Sequence, residues 1–260
     1  MSPVRQMKAE SLVLNVFESR LDLGNAAARA VSERIRAVLL EKEDVNIVFA
    51  SAPSQNEFLA VLLQDSSIPW GRVNAFHLDE YIGLPGDAPQ GFGNFIRARL
   101  WGRVKLKSAN YIDGLAADLN KECLRYAALL REHPIDIVCF GIGENGHLAF
   151  NDPPVADFAD PAAVKVVRLD EACRQQQVHD GCFGRLEEVP THAITMTIPA
   201  ILAGRYLYGM VPGKAKAEAL LRTITEPSGA LCPATVLRNH PHIAVYADAD
   251  SAGLLCPKPA

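Results

Sequence analysis

The sequence predicts one α/β domain, a three-layer α/β/α sandwich on a doubly wound, mainly parallel sheet. Two features point there. Short β-branched apolar runs alternate with stretches of helical spacing. The residues that carry chemistry cluster just after those runs, where open parallel sheets bind their ligands. With 260 residues the chain can build one large core, and no repeat, low-complexity tract or linker divides it.

The runs 45–49, 73–78, 135–140, 193–197, 206–210 and 243–246 read as buried strands. Residues 25–41, 56–63, 117–131 and 214–223 have helical spacing or composition and would cover both faces of the sheet. The stretch through Asp22 suits an added edge strand. Residues 83–93, rich in glycine and proline, and 153–161, rich in proline and aspartate, read as loops that wall or cover a pocket.

The chain is 49% hydrophobic and 22% charged with a formal net charge of −4, values ordinary for a soluble enzyme. No bulk basic charge invites nucleic acid, although a pocket can gather cations while the rest of the surface stays acidic. The first residues lack the apolar core of a signal peptide, and no apolar run is long enough to span a bilayer. A cytoplasmic setting is expected, with the six scattered cysteines as reduced thiols. His240 and His242 lack a nearby third ligand, so no metal site is expected. A monomer and a small homo-oligomer are equally permitted.

Two segments concentrate the chemistry. Phe76-His77-Leu78-Asp79-Glu80-Tyr81 ends an apolar run with adjacent carboxylates. Strand side chains alternate, so only one of Asp79 and Glu80 readily faces a given pocket. Either suits a base, and both equally suit capping of the next turn. Gly141-Ile142-Gly143-Glu144-Asn145-Gly146-His147-Leu148-Ala149-Phe150-Asn151-Asp152 follows the most apolar run. Its glycines, Gly143 among them, permit close backbone approach to a ligand, and their spacing is not that of a dinucleotide site. His147 stands where a ring nitrogen can reach a substrate oxygen. Ser54-Gln55-Asn56-Glu57 has the form of a capping box, which would place a helix N-terminus and its anion-favouring amides beyond the sheet. Lys214, after Pro212-Gly213, offers a point charge for a phosphate and equally suits a solvated surface lysine.

The segments FHLDEYIGL and GIGENGHLAFNDP resemble the paired signatures of glucosamine-6-phosphate deaminases. The resemblance extends through residues 51–55, 169–183, 213–215 and 234–240. It implies a cofactor-independent enzyme acting on a small sugar phosphate, with Asp79 as proton-transfer base and His147 as ring-opening acid/base. Asn145 and Asp152 would assist His147. Ser51, Ser54, Gln55, Glu80, Gly143, Arg174, His179 and Lys214 fall in the substrate- and phosphate-binding segments. Alternatives are a 6-phosphogluconolactonase-type hydrolase and a non-catalytic sugar-phosphate sensor. Against the lactonases, this chain has tyrosine after the acids and Gly146-His147-Leu148 in the second motif; against a sensor, it retains both Asp79 and His147.

Three positions depart from the family pattern. Ser51-Ala52-Pro53-Ser54-Gln55 replaces a Thr-Gly-Gly-Thr-Pro type of loop, and Pro53 removes a backbone donor. Once Arg174 is aligned with the family's first arginine, His179 stands where a second, phosphate-contacting one is expected. Asp152 stands for a glutamate, which withdraws the carboxylate by ~1.5 Å unless the loop compensates. Asp79, with an unperturbed pKa of ~3.9, is expected to need positioning more than a large pKa shift.

Overall fold

The computed structural model describes residues 2–255. In chain order the strands are β1 (Arg5–Ala9), β2 (Leu12–Phe17), β3 (Val45–Phe49), β4 (Val73–His77), β5 (Asp79–Tyr81), β6 (Ser108–Asn110), β7 (Ile137–Phe140), β8 (Val164–Arg168), β9 (His192–Met196), β10 (Tyr206–Val211) and β11 (Ile243–Asp248). The α-helices are α1 (Arg20–Glu41), α2 (Asn56–Gln64), α3 (Phe92–Arg99), α4 (Leu119–Glu132), α5 (Glu171–His179), α6 (Ile198–Leu202) and α7 (Ala217–Thr225).

Eight strands form the main sheet in the order β1-β2-β11-β10-β7-β3-β4-β6. Every pairing in it is parallel except β1 with β2. The N-terminal stretch therefore supplies two strands, and β2 lies inside the sheet rather than at its edge. Alternation splits the core in two. Val48, Val138 and Phe140 pack in one apolar cluster with Tyr126 of α4, Ile198 and Ile201 of α6 and Leu220 of α7. Their neighbours Ile47, Phe49, Ile137 and Cys139 pack in the other with Val31 and Ile35 of α1, Phe58 and Leu62 of α2 and Ile96 of α3. Helices on both faces of a mostly parallel sheet make the predicted Rossmann-like α/β/α sandwich.

The run 193–197 is a strand, as expected, but not of the main sheet. It forms β9, the centre of a three-stranded antiparallel sheet, β5-β9-β8. There Tyr81, Phe92, Phe150 and Phe183 make an aromatic cluster, with Phe92 and Phe150 stacked at a centroid separation of 5.5 Å.

The connectivity fixes where a ligand can go. From β3 the chain steps outward to β4 and β6, then returns to place β7 on the other side of β3. That reversal opens a crevice beyond the carboxyl ends of β3 and β7. Among the described residues no helix is long and apolar enough to cross a membrane.

Candidate active site

A pocket occupies this crevice. Its walls come from residues 50–54 after β3, Leu78 and Asp79 after β4, residues 141–143 and His147 after β7, and Pro212 and Lys216 after β10. Asp79, His147, Ser51, Ser54 and Gly143 thus meet in one place, as the sequence predicts.

Asp79 opens β5, paired with Thr195 of β9, and this pairing turns its side chain into the pocket. The residue is only 6% exposed, and among the described residues nothing donates a hydrogen bond to its carboxylate. Burial, and then the charge of Glu80, push its pKa well above the usual carboxylate range. The expectation of an unshifted aspartate is corrected: the site desolvates this group without a compensating donor. Glu80 points the other way. Its carboxylate accepts N–H bonds from Tyr81 at 2.9 Å, Phe92 at 2.9 Å and Gly93 at 2.8 Å, so it holds the start of α3. It lines a different cavity with Asn94, Arg97 and Tyr111, apart from the pocket that holds Asp79 and His147.

His147 sits at the end of a tight loop closed by Gly143 N–H to the His147 carbonyl at 3.0 Å. Asn145 accepts the His147 N–H at 3.0 Å through Oδ1 and donates through Nδ2 to Asp152 Oδ1 at 3.0 Å. His147 Nδ1 lies 2.9 Å from Asp152 Oδ1. The loop thus brings the shorter aspartate to ion-pair distance, although the contact does not have hydrogen-bond geometry. With Nδ1 turned to the carboxylate, Nε2 is the nitrogen left for the pocket. Burial raises the pKa of Asp152 most strongly among single causes. The charge and close contact of His147, the Asn145 amide and the Asp170 N–H together outweigh it and hold the carboxyl below its ordinary value. Ala149, also on the pocket wall, has φ 50°, a left-handed backbone that costs a non-glycine residue ~1–2 kcal/mol.

Cys173 completes a buried trio with His147 and Asp152, whose potential ligand atoms lie within 4.8 Å of one another. Burial, followed by the charge of Asp152, pushes its thiol pKa well up. Metal binding here would have to displace the thiol's proton. His240 is structural, with Nε2 on the Gly204 carbonyl at 2.9 Å and Nδ1 accepting the His242 N–H at 3.2 Å.

The opposite end of the pocket differs most from expectation. No capping box forms: residues Pro53–Gln55 make a 3₁₀ turn before α2, and Ser54 Oγ accepts from Gln55 Nε2 at 2.9 Å. Gln55 is buried behind the wall and reaches the Phe140 carbonyl at 3.5 Å. Ser51 Oγ is buried with no partner among the described residues. Lys214 is exposed, and Lys216 takes its expected place, 6% exposed and on the pocket wall. The 3₁₀ turn Lys214–Lys216 rotates the chain ~120° per residue, which sends the two amines in different directions. Burial lowers the pKa of Lys216, with Asp180 and Glu144 opposing.

Arg174 and His179 are likewise not in the pocket. Arg174 donates to the carbonyls of Leu186 at 2.7 Å and Val189 at 2.9 Å and lines another cavity. His179 is exposed, 3.5 Å from Glu144. Helix α5 and the residue after it instead present Gln176, Gln177 and Asp180 to the pocket. Arg20, at the start of α1, also lines it and escaped the sequence reading.

Residues 18–245 match the family model described as glucosamine-6-phosphate isomerases/6-phosphogluconolactonase. A glucosamine-6-phosphate deaminase of Listeria innocua is 36% identical over 212 residues, covering 82% of this chain and 88% of the relative. One of Bacillus thuringiensis is 34% identical over 227 residues, covering 87% and 84%. The structure of a monomeric glucosamine-6-phosphate deaminase superposes with a TM-score of 0.86 at 28% identity, over 95% of this chain and all of the other. A 6-phosphogluconolactonase of Thermotoga maritima shares the fold, with a TM-score of 0.75 at 19% identity over 91% of this chain and 99% of that one. The chain belongs to the glucosamine-6-phosphate isomerase/6-phosphogluconolactonase family.

Proposed function

We propose that this chain is an enzyme that converts glucosamine 6-phosphate and water to fructose 6-phosphate and ammonium, with residues 1–260 acting as one cofactor-independent, cytoplasmic domain. The observation that carries the reading is the pairing of two proton-transfer groups in one pocket: a desolvated Asp79 carboxylate and the His147–Asp152–Asn145 set. His147 Nε2 moves the proton that opens the pyranose ring, and Asp152 and Asn145 hold the imidazole in place. The freed C1 aldehyde acidifies the C2 proton, which Asp79 removes and returns to C1. The resulting C2 ketimine takes up water and releases ammonium. Gly143 keeps the backbone close to the substrate beside His147, and the distal phosphate lies toward Ser51, Ser54 and Lys216.

The test is a panel of amino sugar phosphates and 6-phosphogluconolactone, with ammonium, acid and product identity followed by NMR. Ammonium and fructose 6-phosphate are expected from glucosamine 6-phosphate. Acid release from the lactone alone would make the chain a lactonase, and binding without turnover would make it a sensor.

The phosphate end gives a separate expectation. Lys216→Ala removes a buried cation worth ~1.5–3 kcal/mol to a bound anion, so KM for the phosphorylated substrate should rise ~10–100-fold. An unphosphorylated amino sugar should be affected far less. Equal losses for both, in steady-state kinetics, would place Lys216 elsewhere in the reaction.

A further inference from the structure

We propose that Arg20 is a second anion-gripping residue of this pocket, which fits the far end of the site to a dianionic phosphate monoester rather than to a neutral or singly charged group. The inference rests on the proposed sugar-phosphate reading and deepens it. Arg20 and Lys216 are the only arginine or lysine side chains on the pocket wall among the described residues. They approach from different elements, α1 and the turn before α7.

The guanidinium is held through Nε and Nη2. Nε and Nη2 donate to the two carboxylate oxygens of Glu57, each at 3.1 Å, and Nη2 also donates to the Pro53 carbonyl at 3.0 Å. Nη1 has no partner among the described residues. A bidentate carboxylate fixes the plane of the fork, so the two N–H groups of Nη1 stay presented without much further loss of rotamer freedom. Packing makes this arrangement possible. A Cβ at Gly24, one helical turn beyond Arg20, would stand 2.6 Å from Glu57 Cβ and 2.9 Å from the Glu57 carbonyl carbon. Only glycine lets α1 approach α2 closely enough to bring Arg20 over the turn at Pro53.

Two further groups in the same pocket await an acceptor. Ser51 Oγ is buried and unpartnered, and the Lys216 amine has no hydrogen bond among the described residues although the residue is 6% exposed. A phosphate monoester near neutral pH carries nearly two charges and three peripheral oxygens. One ammonium, the free Nη1 of one guanidinium and one hydroxyl match it in charge and number. The carboxylate of Asp180 on the same wall would repel such a group if it met a single cation, and two cations offset it.

Two readouts test the proposal. Inorganic phosphate binding, by isothermal titration, reads the grip without any reaction. KM and kcat with glucosamine 6-phosphate read it in turnover. Arg20→Gln should weaken phosphate binding and raise KM by ~10-fold, the ordinary worth of one charge-assisted contact, with kcat within about twofold. Arg20→Lys should recover part of the loss. Glu57→Gln, outside the pocket, should give a smaller loss in the same direction by loosening the fork. Unchanged phosphate affinity and KM in Arg20→Gln would overturn the proposal, as would a fall in kcat at constant KM. If the wild-type protein releases no ammonium but binds phosphate through Arg20, the reaction assignment fails and the grip stands. If it releases ammonium and is indifferent to Arg20, the reverse holds.

Discussion

Asp79→Asn should lower kcat by about a thousandfold and at the same time make the protein more stable at pH values where the buried Asp79 ionises. The side chain is nearly isosteric, so the pocket keeps its shape, but an amide cannot take the C2 proton. Exchange of that proton with deuterated solvent, followed by NMR, should stop. The stability effect follows from burial. Asp79 ionises in a site that gives it no donor, and desolvation together with Glu80 raises its pKa well above the usual range. A group whose pKa is higher folded than unfolded contributes stability below its unfolded value, ~3.9, and loses it as pH rises through the folded value. Above that folded value the wild type holds a costly buried charge that asparagine lacks. The expected gain is ~1 kcal/mol, or ~2–4 °C in Tm for a protein near this size. The gap between variant and wild type should open as pH rises above ~4 and level off once the buried carboxyl has ionised. A variant less stable at every pH would make the carboxylate structural. The same sign governs activity. The wild-type kcat/KM should climb with pH as Asp79 ionises, and the residual rate of Asp79→Asn should lack that limb.

The catalytic end of this site was legible because its parts are neighbours in sequence. Asn145, His147 and Asp152 lie on one short loop, and Asp79 follows a buried strand that needs no partner to be recognised. Strand β3 was bounded correctly at both ends, since a parallel strand covered on both faces reads as an uninterrupted apolar run. Strands β5 and β6 were hidden. Asp-Glu-Tyr and Ser-Ala-Asn become strands only through β9 and β4, which tertiary structure supplies.

The phosphate end was misread for reasons of phase and packing. On α5, Cys173, Gln176 and Gln177 are buried, and with Asp180 they follow the i, i+3, i+4, i+7 spacing of one helix face. Arg174 and His179 lie off that face, so the heptad-like spacing could have removed them. Lys214 against Lys216 was harder, since two lysines separated by one alanine give no phase until the turn is known. Arg20 was out of reach altogether, because its place depends on how closely α1 meets α2.

Gly143→Ala should cost at least ~100-fold in kcat, although it adds a single methyl. That methyl would stand 2.2, 2.3 and 2.4 Å from Cε1, Nε2 and Nδ1 of His147. The ring must move, and its position is what the surrounding bonds define. Asp152 Oδ1 holds Nδ1 at 2.9 Å, Asn145 braces both the carboxylate and the His147 backbone, and Asp152 is 1% exposed with no room to follow. A displaced ring loses Asp152, and its Nε2 no longer faces the ring oxygen it must serve. The fold should pay less, ~1–3 kcal/mol for overpacking, visible as a modest fall in Tm. A double-mutant comparison separates displacement of His147 from general damage. If the methyl acts through His147 alone, adding Gly143→Ala to His147→Ala should cost almost nothing more, because residues that act as a unit are strongly non-additive. Losses that simply multiply would mean that Gly143 contributes by itself, as the surface against which the substrate lies.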